Sequence, residues 1–308
     1  MNGVVILDKP AGRTSHDVVT EVKQLLGAGK AGHTGTLDPL ATGVLPICLN
    51  EATKLVPFFG EDTKTYLATM RLGIKTDTLD REGVIIEQRE HCTDRRLIEE
   101  TLKRFMGVCQ QVPPRYSAVK YHGKALYKWT RQGISVDAAP KTVQIINIAV
   151  VSISPPDVTF TVTCSKGTYV RVLCADVGEM MGCGACLINL RRIRSGIFYE
   201  DAAVNLNSLA PANRRSALAS RIVSMVDALA GMAAVEVEVG LARRIREGYQ
   251  PDREILNLSD KPFIATGDMV KLTLQGTLVA IAKLSSNSRQ IERGQAPQVL
   301  RILRVFHE

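Results

Sequence analysis

The sequence predicts a protein of mixed helix and strand content in which strands predominate, followed by a small separate β-barrel. Three observations predict it. Period-two alternation recurs along the chain, most clearly in Val158, Phe160, Val162 and Cys164 set between threonines, as a strand with one buried face requires. Apolar residues at helical spacing occur in only a few segments, each bounded by cap and stop residues. Beyond residue 232 the pattern changes to short strands separated by Gly-containing turns, the grammar of a barrel.

In chain order, Val4 to Leu7 reads as a short buried strand and Lys9-Pro10-Ala11-Gly12 as a turn. Thr14-Ser15 offers an N-cap for a helix whose face is Val18, Val19, Val22, Leu25 and Leu26, with Gly27 as its stop. Gly29 to Pro46 has no periodicity and is too long for a simple connection, which marks it as a functional loop. Tyr66 to Leu72 alternates as a strand, and Thr76-Asp77-Thr78 with Asp80 and Gly83 forms a polar loop before a strand at Val84 to Ile86. Thr93 offers a cap for the helix carrying Leu97, Ile98, Leu102, Phe105 and Met106, ended by Gly107. After the strand at Val158, Ser165 to Arg171 turns into an apolar helix. Asn189 to Arg194 closes the first part with a basic cluster, and Arg214 to Leu229 reads as helical. Then follow a strand at Val235, Val237 and Val239, a basic helix through Leu241 to Ile245, and strands at Met269 to Leu274 and Leu278 to Leu284. Gly267-Asp268 and Gln275-Gly276 are turns. The expected boundary divides the chain into 1–232 and 233–308.

Of 308 residues, 45% are hydrophobic, enough for packed cores, and 39 Lys and Arg against 31 Asp and Glu leave a net charge of +8, which suits a polyanionic partner. Seven cysteines are odd in number and sit mostly among apolar residues, as reduced thiols do. Cys183 and Cys186 have metal-like spacing, but no second pair or nearby histidines complete a zinc set. No run approaches the roughly 20 apolar residues of a membrane span, and the chain opens into a strand rather than a signal peptide, so a cytoplasmic location is expected.

The densest signal is the run Gly32 to Pro46. Its glycines permit sharp turns and close approach of a ligand, and Pro39 stiffens the chain after Asp38, the only carboxylate in the run. A phosphate loop at Gly27-Ala28-Gly29-Lys30 fits poorly, since Lys30 precedes Ala31 and the glycines end a helix instead of starting one. An Asx turn would explain Asp38 but not the pattern around it. From Gln110 to Gly133, Arg115, Tyr116, Lys120, Tyr121, Lys124, Tyr127, Lys128 and Trp129 interleave behind Pro113-Pro114. Such a surface suits phosphates and stacked bases, and equally a solvated edge with a few packed aromatics.

The run Gly32 to Pro46 resembles the signature of the TruB family of pseudouridine synthases, which act on the T-loop uridine, uridine 55, of tRNA. The resemblance continues through Lys9-Pro10, Thr14-Ser15, Glu51-Ala52-Thr53-Lys54, Tyr66, Leu72-Gly73 and Thr76-Asp77-Thr78. It extends to Pro113 to Lys120 and Cys164 to Arg171, in family order across about the first 195 residues. Departures are Asn50, where relatives usually carry Gly, and Cys186. The fold implied is α+β, a mixed, mainly antiparallel sheet with flanking helices and a central cleft. The segment around Gly267-Asp268-Met269-Val270 and Gly276 looks like a PUA domain, a small RNA-binding barrel.

The resemblance makes Asp38 the catalytic aspartate, Tyr66 the ring that stacks on the uracil, and Arg171 the cationic partner of Asp38. Tyr169, Leu190 and His33 would shape the pocket, and Lys9, Gly35, Thr36 and Lys166 would also bind substrate. An adjacent guanidinium favours an ionised carboxylate against desolvation. On an extended Thr168 to Arg171 segment, Tyr169 and Arg171 would face one cleft, with the planar fork of Arg171 on Asp38. The implied reaction breaks the N1–C1′ bond of a flipped uridine and rejoins the base through C5, which needs no cofactor and no metal.

Competing readings are a tRNA-folding chaperone, the catalytic subunit of a guide-RNA-dependent box H/ACA particle, and a base-releasing glycosylase. A chaperone needs none of Asp38, Tyr66 and Arg171 jointly. Pro39 to Pro46 and the long Pro113 to Trp129 insertion look like the stand-alone bacterial form, and a glycosylase needs a water positioned at C1′. The expectation is a monomer that acts on tRNA without a protein partner.

Overall fold

The computed structural model describes residues 1–59, 63–134, 136, 138–251, 255–256, 267–286 and 298–307. The elements are β1 (Gly3–Lys9), α1 (Ser15–Leu26), β2 (Ala31–His33), β3 (Thr42–Leu49), β4 (Lys64–Leu72), β5 (Ile74–Thr76), β6 (Ile85–Gln88), α2 (Arg95–Arg104) and β7 (Gly107–Gln111). They continue with β8 (Lys120–Tyr121), β9 (Lys124–Ala125), α3 (Leu126–Thr130), β10 (Lys141–Ser154), β11 (Asp157–Cys164), α4 (Val170–Met180), β12 (Ala185–Ser195), β13 (Phe198–Tyr199) and α5 (Pro211–Ala219). Last come β14 (Ala233–Glu236), α6 (Val239–Arg246), β15 (Met269–Leu274), β16 (Thr277–Ser286) and β17 (Gln298–Val305).

Among the described residues the main sheet has nine strands, ordered β1-β3-β12-β4-β11-β10-β7, with β2 on β3 and β13 on β12. All pairings are antiparallel except β12 with β3, which meet in parallel at Arg191↔Thr42 and Arg192↔Gly43. The α+β expectation therefore holds for this body. Its first strand is buried on both faces. Val5 and Leu7 join the core under α1 and α4, while Val4 and Ile6 join a second core on the opposite face. Double burial is why the run Val4 to Leu7 is continuously apolar instead of alternating.

Local signals set the helix ends. Thr14 accepts from the Asp17 N–H and Asp17 accepts from the Thr14 N–H, a complete capping box, and Gly27 closes α1 at φ 63°. For α2 the cap is Asp94 and not Thr93, because the Asp94 carboxylate takes the Arg96 and Leu97 N–H groups. Gly107 opens β7 instead of closing α2.

Other expectations are corrected. Gly29 to Pro46 is not one loop, since β2 and the start of β3 lie within it and reduce its longest irregular part to residues 34–41; β3 is nearly all buried and so lacks period-two polarity. The helix expected at Arg214 to Leu229 is α5, opened by Pro211 at its first turn and finished by Ala219. Val239 starts α6 and does not extend β14.

The C-terminal strands form an open sheet, β14-β15-β16-β17, rather than a closed barrel among the described residues. Closure needs both edges paired, and β14 and β17 each have one partner here. Nor is its packing separate. Leu278, Ile281 and Phe306 share a core with Val4, Ile6, Val44 and Phe59. Lys54 Nζ donates to the Val305 carbonyl at 3.1 Å, and Lys271 Nζ donates to the Val226 and Leu229 carbonyls at 2.9 and 3.0 Å. Among the described residues no helix is long and apolar enough to cross a membrane.

Candidate active site

Asp38 stands in the loop 34–41 between β2 and β3, and a dense set of contacts holds that loop. The Ser15 hydroxyl donates to the Leu37 carbonyl at 3.0 Å and accepts the Leu37 N–H at 2.8 Å, one residue before Asp38. The Gly12 N–H donates to the Pro39 carbonyl at 2.8 Å. Lys9 is fully buried, its Nζ donating to the Pro10, Arg13 and Pro39 carbonyls at 2.8, 2.7 and 3.2 Å. Burial pushes its pKa down to about 8, with the Asp38 carboxylate pulling the other way.

From the opposite side, Arg192 of β12 is 1% exposed and donates from Nε to the Val44 carbonyl at 2.7 Å and from Nη2 to the Gly35 carbonyl at 3.1 Å. It can do so only because β3 and β12 touch at Gly43. There φ is 99°, and a Cβ would lie 2.2 Å from the Arg192 carbonyl oxygen.

The loop floors a cleft of about 460 Å³, the size of a pocket for one nucleoside-scale ligand. Asp38, Tyr66, Tyr169, Arg171 and Leu190 line it, as do Gly35, Thr36 and Lys166. Of the residues singled out from sequence, Lys9 and His33 stand outside this lining. Lys9 spends its donors on backbone carbonyls. His33 sits on β2 opposite Ile47, with Nδ1 buried and without a hydrogen-bond partner. Desolvation lowers the His33 pKa, and Arg192 and His16 add to that, all favouring the neutral ring.

Arg171 is the second residue of α4 and Tyr169 is that helix's N-cap, so the extended segment expected over Thr168 to Arg171 gives way to helix at Val170. Both still reach the cleft, with the guanidinium carbon 5.8 Å from the centre of the Tyr169 ring. Arg171 Nε lies 3.1 Å from Asp38 Oδ2, the Arg171 side chain 4% exposed and the Asp38 side chain 34% exposed. The fork does not grip the carboxylate. Nη1 donates to the Thr78 carbonyl at 3.3 Å and Nη2 to the Tyr116 carbonyl at 2.6 Å, while the Nε–H makes no aligned hydrogen bond. Two carbonyls aim the cation, and the ion pair is made by its side.

The electrostatics are balanced. Desolvation pushes the Asp38 carboxyl above its usual range and the nearby Asp80 carboxylate adds to this, while Arg171 and Lys9 pull it down. Burial is the larger effect, so Arg171 offsets it only in part. Tyr66, on β4 between Val162 of β11 and Arg192 of β12, is 8% exposed. Burial pushes its phenol pKa up, with Arg192 pulling the other way.

The insertion forms the β8–β9 hairpin, turning at His122 (φ 47°) and Gly123 (φ 79°), followed by α3. Lys124 Nζ stands 4.2 Å over the Trp129 ring and Arg131 5.5 Å from the Tyr127 ring, so some of these cations and rings pair with each other. Ser117, Ala118 and Val119 complete one side of the cleft.

Sequence reading missed Ser15, Arg192 and Asp80 as site residues. Ser15 read as part of a cap, Asp80 as a loop residue and Arg192 as part of a basic cluster. Only the alternation of Leu190 and Arg192 on one strand hinted that this arginine points inward.

Two family models match the chain: the N-terminal domain of TruB family pseudouridylate synthases over residues 23–170, and the C-terminal domain of tRNA pseudouridylate synthase B over residues 171–230. The tRNA pseudouridine synthase B of Syntrophus aciditrophicus is 51% identical over 100% of this chain and 99% of its own length. That of Geobacter sulfurreducens is 41% identical over 100% of both. Among solved structures, a chain of a Cbf5-Nop10-Gar1 complex superposes with a TM-score of 0.71 at 28% identity, covering 99% of this chain and 85% of that one. A chain of an H/ACA particle bound to a substrate RNA gives 0.69 at 26% identity, covering 99% and 85%.

Proposed function

The chain belongs to the TruB family of pseudouridylate synthases, and on that premise we propose that it converts the T-loop uridine of tRNA, position 55, to pseudouridine with Asp38 as its catalytic carboxylate. Its activity is that of a tRNA pseudouridine synthase, an isomerase acting on RNA. The observation that carries the assignment of Asp38 is its place 3.1 Å from buried Arg171, on the floor of a cleft walled by Tyr66 and Tyr169.

The target base lies inside a folded RNA and must be extruded, at a cost of a few kcal/mol. Stacking on an aromatic ring returns roughly 1–3 kcal/mol, which supports Tyr66 as the platform and Leu190 as an apolar wall. The N1–C1′ bond then breaks, the base turns, and C5 bonds to C1′; C5 gives up its proton and N1 gains one. Asp38 serves this sequence as an ionised group, and Arg171 favours that form against desolvation.

The 51% and 41% identities to proteins named for tRNA, against 28% and 26% to chains from a Cbf5-Nop10-Gar1 complex and an H/ACA particle, favour an enzyme that acts on tRNA without a protein partner, and in this reading it works as a monomer. The insertion and the C-terminal sheet, a PUA-like unit spanning 233–308, supply tRNA contacts in this reading. The end of the family match at residue 230 and the start of β14 at Ala233 support that boundary.

The test is incubation of the protein alone with unmodified tRNA transcript and mapping of pseudouridine at nucleotide resolution. Product at the T-loop uridine is expected. Asp38→Asn is expected to abolish it while leaving tRNA affinity within a few-fold, because affinity comes from many phosphate contacts. Product elsewhere, or turnover by Asp38→Asn, removes the corresponding part of the reading.

A further inference from the structure

One side chain ties the root of the basic, aromatic insertion to the start of α4. Gln111, the last residue of β7, is 3% exposed and pairs with Lys141 of β10. Its Oε1 accepts the Tyr169 N–H at 3.0 Å, and its Nε2 donates to the Tyr169 carbonyl at 3.4 Å. A primary amide carries the same donor and acceptor as a peptide unit, so Gln111 engages Tyr169 as a neighbouring strand would. Tyr169 is the N-cap of α4, and no side-chain hydrogen bond caps that end. Its carbonyl accepts the first helical hydrogen bonds, from the Val172 and Leu173 N–H groups at 3.1 Å. Arg171 lies two residues on, so the place where this helix starts decides where its guanidinium stands against Asp38.

The chain leaving Gln111 returns to the same arginine five residues later, where the Tyr116 carbonyl takes Arg171 Nη2 at 2.6 Å. That segment is in turn held by the insertion. The Leu126 N–H donates to the Val119 carbonyl at 2.8 Å, the Tyr127 N–H to the Ser117 carbonyl at 3.1 Å, and the Thr130 hydroxyl to the Arg115 carbonyl at 3.0 Å. A shift of the hairpin and α3 therefore reaches Arg171 through two routes, one at each end of its side chain's support. The Arg171 Nε–H, close to Asp38 but unaligned, is the bond such a shift would complete.

Resting on the reading of Asp38 and Arg171 above, we propose that Gln111 is a positioning residue for the isomerisation: its amide sets the start of α4 and, with the Tyr116 carbonyl, links seating of tRNA on the insertion to alignment of Arg171 on Asp38. Gln111 touches neither base nor carboxylate and acts through Tyr169 and Arg171.

The test uses the full-length protein with Gln111→Met, which keeps the bulk and removes both hydrogen bonds, and Gln111→Glu, which keeps an acceptor for the Tyr169 N–H. Single-turnover rate at saturating tRNA transcript, tRNA Kd and the ¹⁵N NMR signal of the Arg171 Nε–H, assigned by its loss in Arg171→Lys, are measured for each. Gln111→Met is expected to lower the rate about 10- to 100-fold, the range seen when outer-shell support or a 1 Å placement is lost. Its Kd stays within about threefold and the Arg171 signal moves, while Gln111→Glu recovers part of the rate.

An unchanged rate with an unchanged Arg171 signal overturns the proposal. So does a loss confined to tRNA affinity, or a rate that falls only in proportion to the folded fraction. If Gln111→Met does not fold, Gln111→Glu is judged alone by the same criteria. The NMR arm needs no turnover, so a wild type that forms no product at the T-loop uridine overturns the functional reading, whereas a motionless Arg171 signal overturns the link.

Discussion

Replacing Arg192 by Met tests whether the loop carrying Asp38 is held from behind by a buried cation. The substitution removes the donors to the Val44 and Gly35 carbonyls, at a residue 1% exposed. Each buried carbonyl left without a donor costs about 1–3 kcal/mol. Part of this is recovered because a guanidinium need no longer be desolvated, so a net loss of about 2–3 kcal/mol is expected. At about 2–4 °C per kcal/mol for a chain of this size, Tm should fall by about 4–12 °C.

The catalytic effect should be larger than the thermal one. Gly35 stands three residues before Asp38, and a displacement near 1 Å of a reacting group can cost about 100-fold in rate. Arg192→Lys reaches one carbonyl and should fall between the two. Calorimetry and single-turnover assays with tRNA transcript at saturation provide the readouts. A variant with wild-type Tm and wild-type rate would refute the claim that Arg192 positions the loop, and a lowered Tm with an unchanged rate would confine it to stability.

Arg171→Met and Arg171→Lys address the ionisation of Asp38. Arg171 pulls the carboxyl pKa down against burial; with Asp38 acting in its ionised form, as proposed above, weakening that pull raises the pKa and moves the acid limb of the rate to higher pH. Lysine should rescue only partly, because one ammonium cannot reach the Thr78 and Tyr116 carbonyls while lying beside Asp38; coincident pH profiles that differ only in tRNA affinity would make Arg171 a phosphate contact. Phe306→Ala should cost about 3–5 kcal/mol by the usual large-to-small range, since Phe306 is fully buried in the core that joins the C-terminal sheet to Val4, Ile6 and Phe59. Deleting residues 233–308 should accordingly lower Tm as well as weaken tRNA binding, and a truncated protein of unchanged Tm would show that the shared core contributes nothing.

The contacts that build the site run across the whole first part of the chain. Ser15 reaches Leu37, Lys9 reaches Pro39, and Arg171 reaches both Thr78 and Tyr116. Each joins a polar side chain to a backbone group that has no partner within its own element, which is what a loop requires if it is to be both irregular and buried. Asp38 owes its position to these contacts more than to its own sequence neighbourhood.

What could be read from the sequence was local. The N-cap at Thr14, the stop at Gly27, the alternation of Val158 to Cys164 and the turn at Gln275-Gly276 depend on residues within one or two turns of each other. The run from Gly32 to Pro46 with Tyr66 and Arg171 stood out through its resemblance to a family, and the structure brings Asp38, Tyr66 and Arg171 to one cleft. Tertiary structure alone decided which polar groups are inside. Arg192 meets its carbonyl partners 148 and 157 residues away, and Lys9 turns inward onto Pro39, 30 residues on. The C-terminal strands read as a separate barrel, yet Leu278 and Phe306 bury the outer face of β1. Periodicity reports how many faces of an element are apolar, but the identity of the surface that covers each face is set by distant chain, where no local pattern records it.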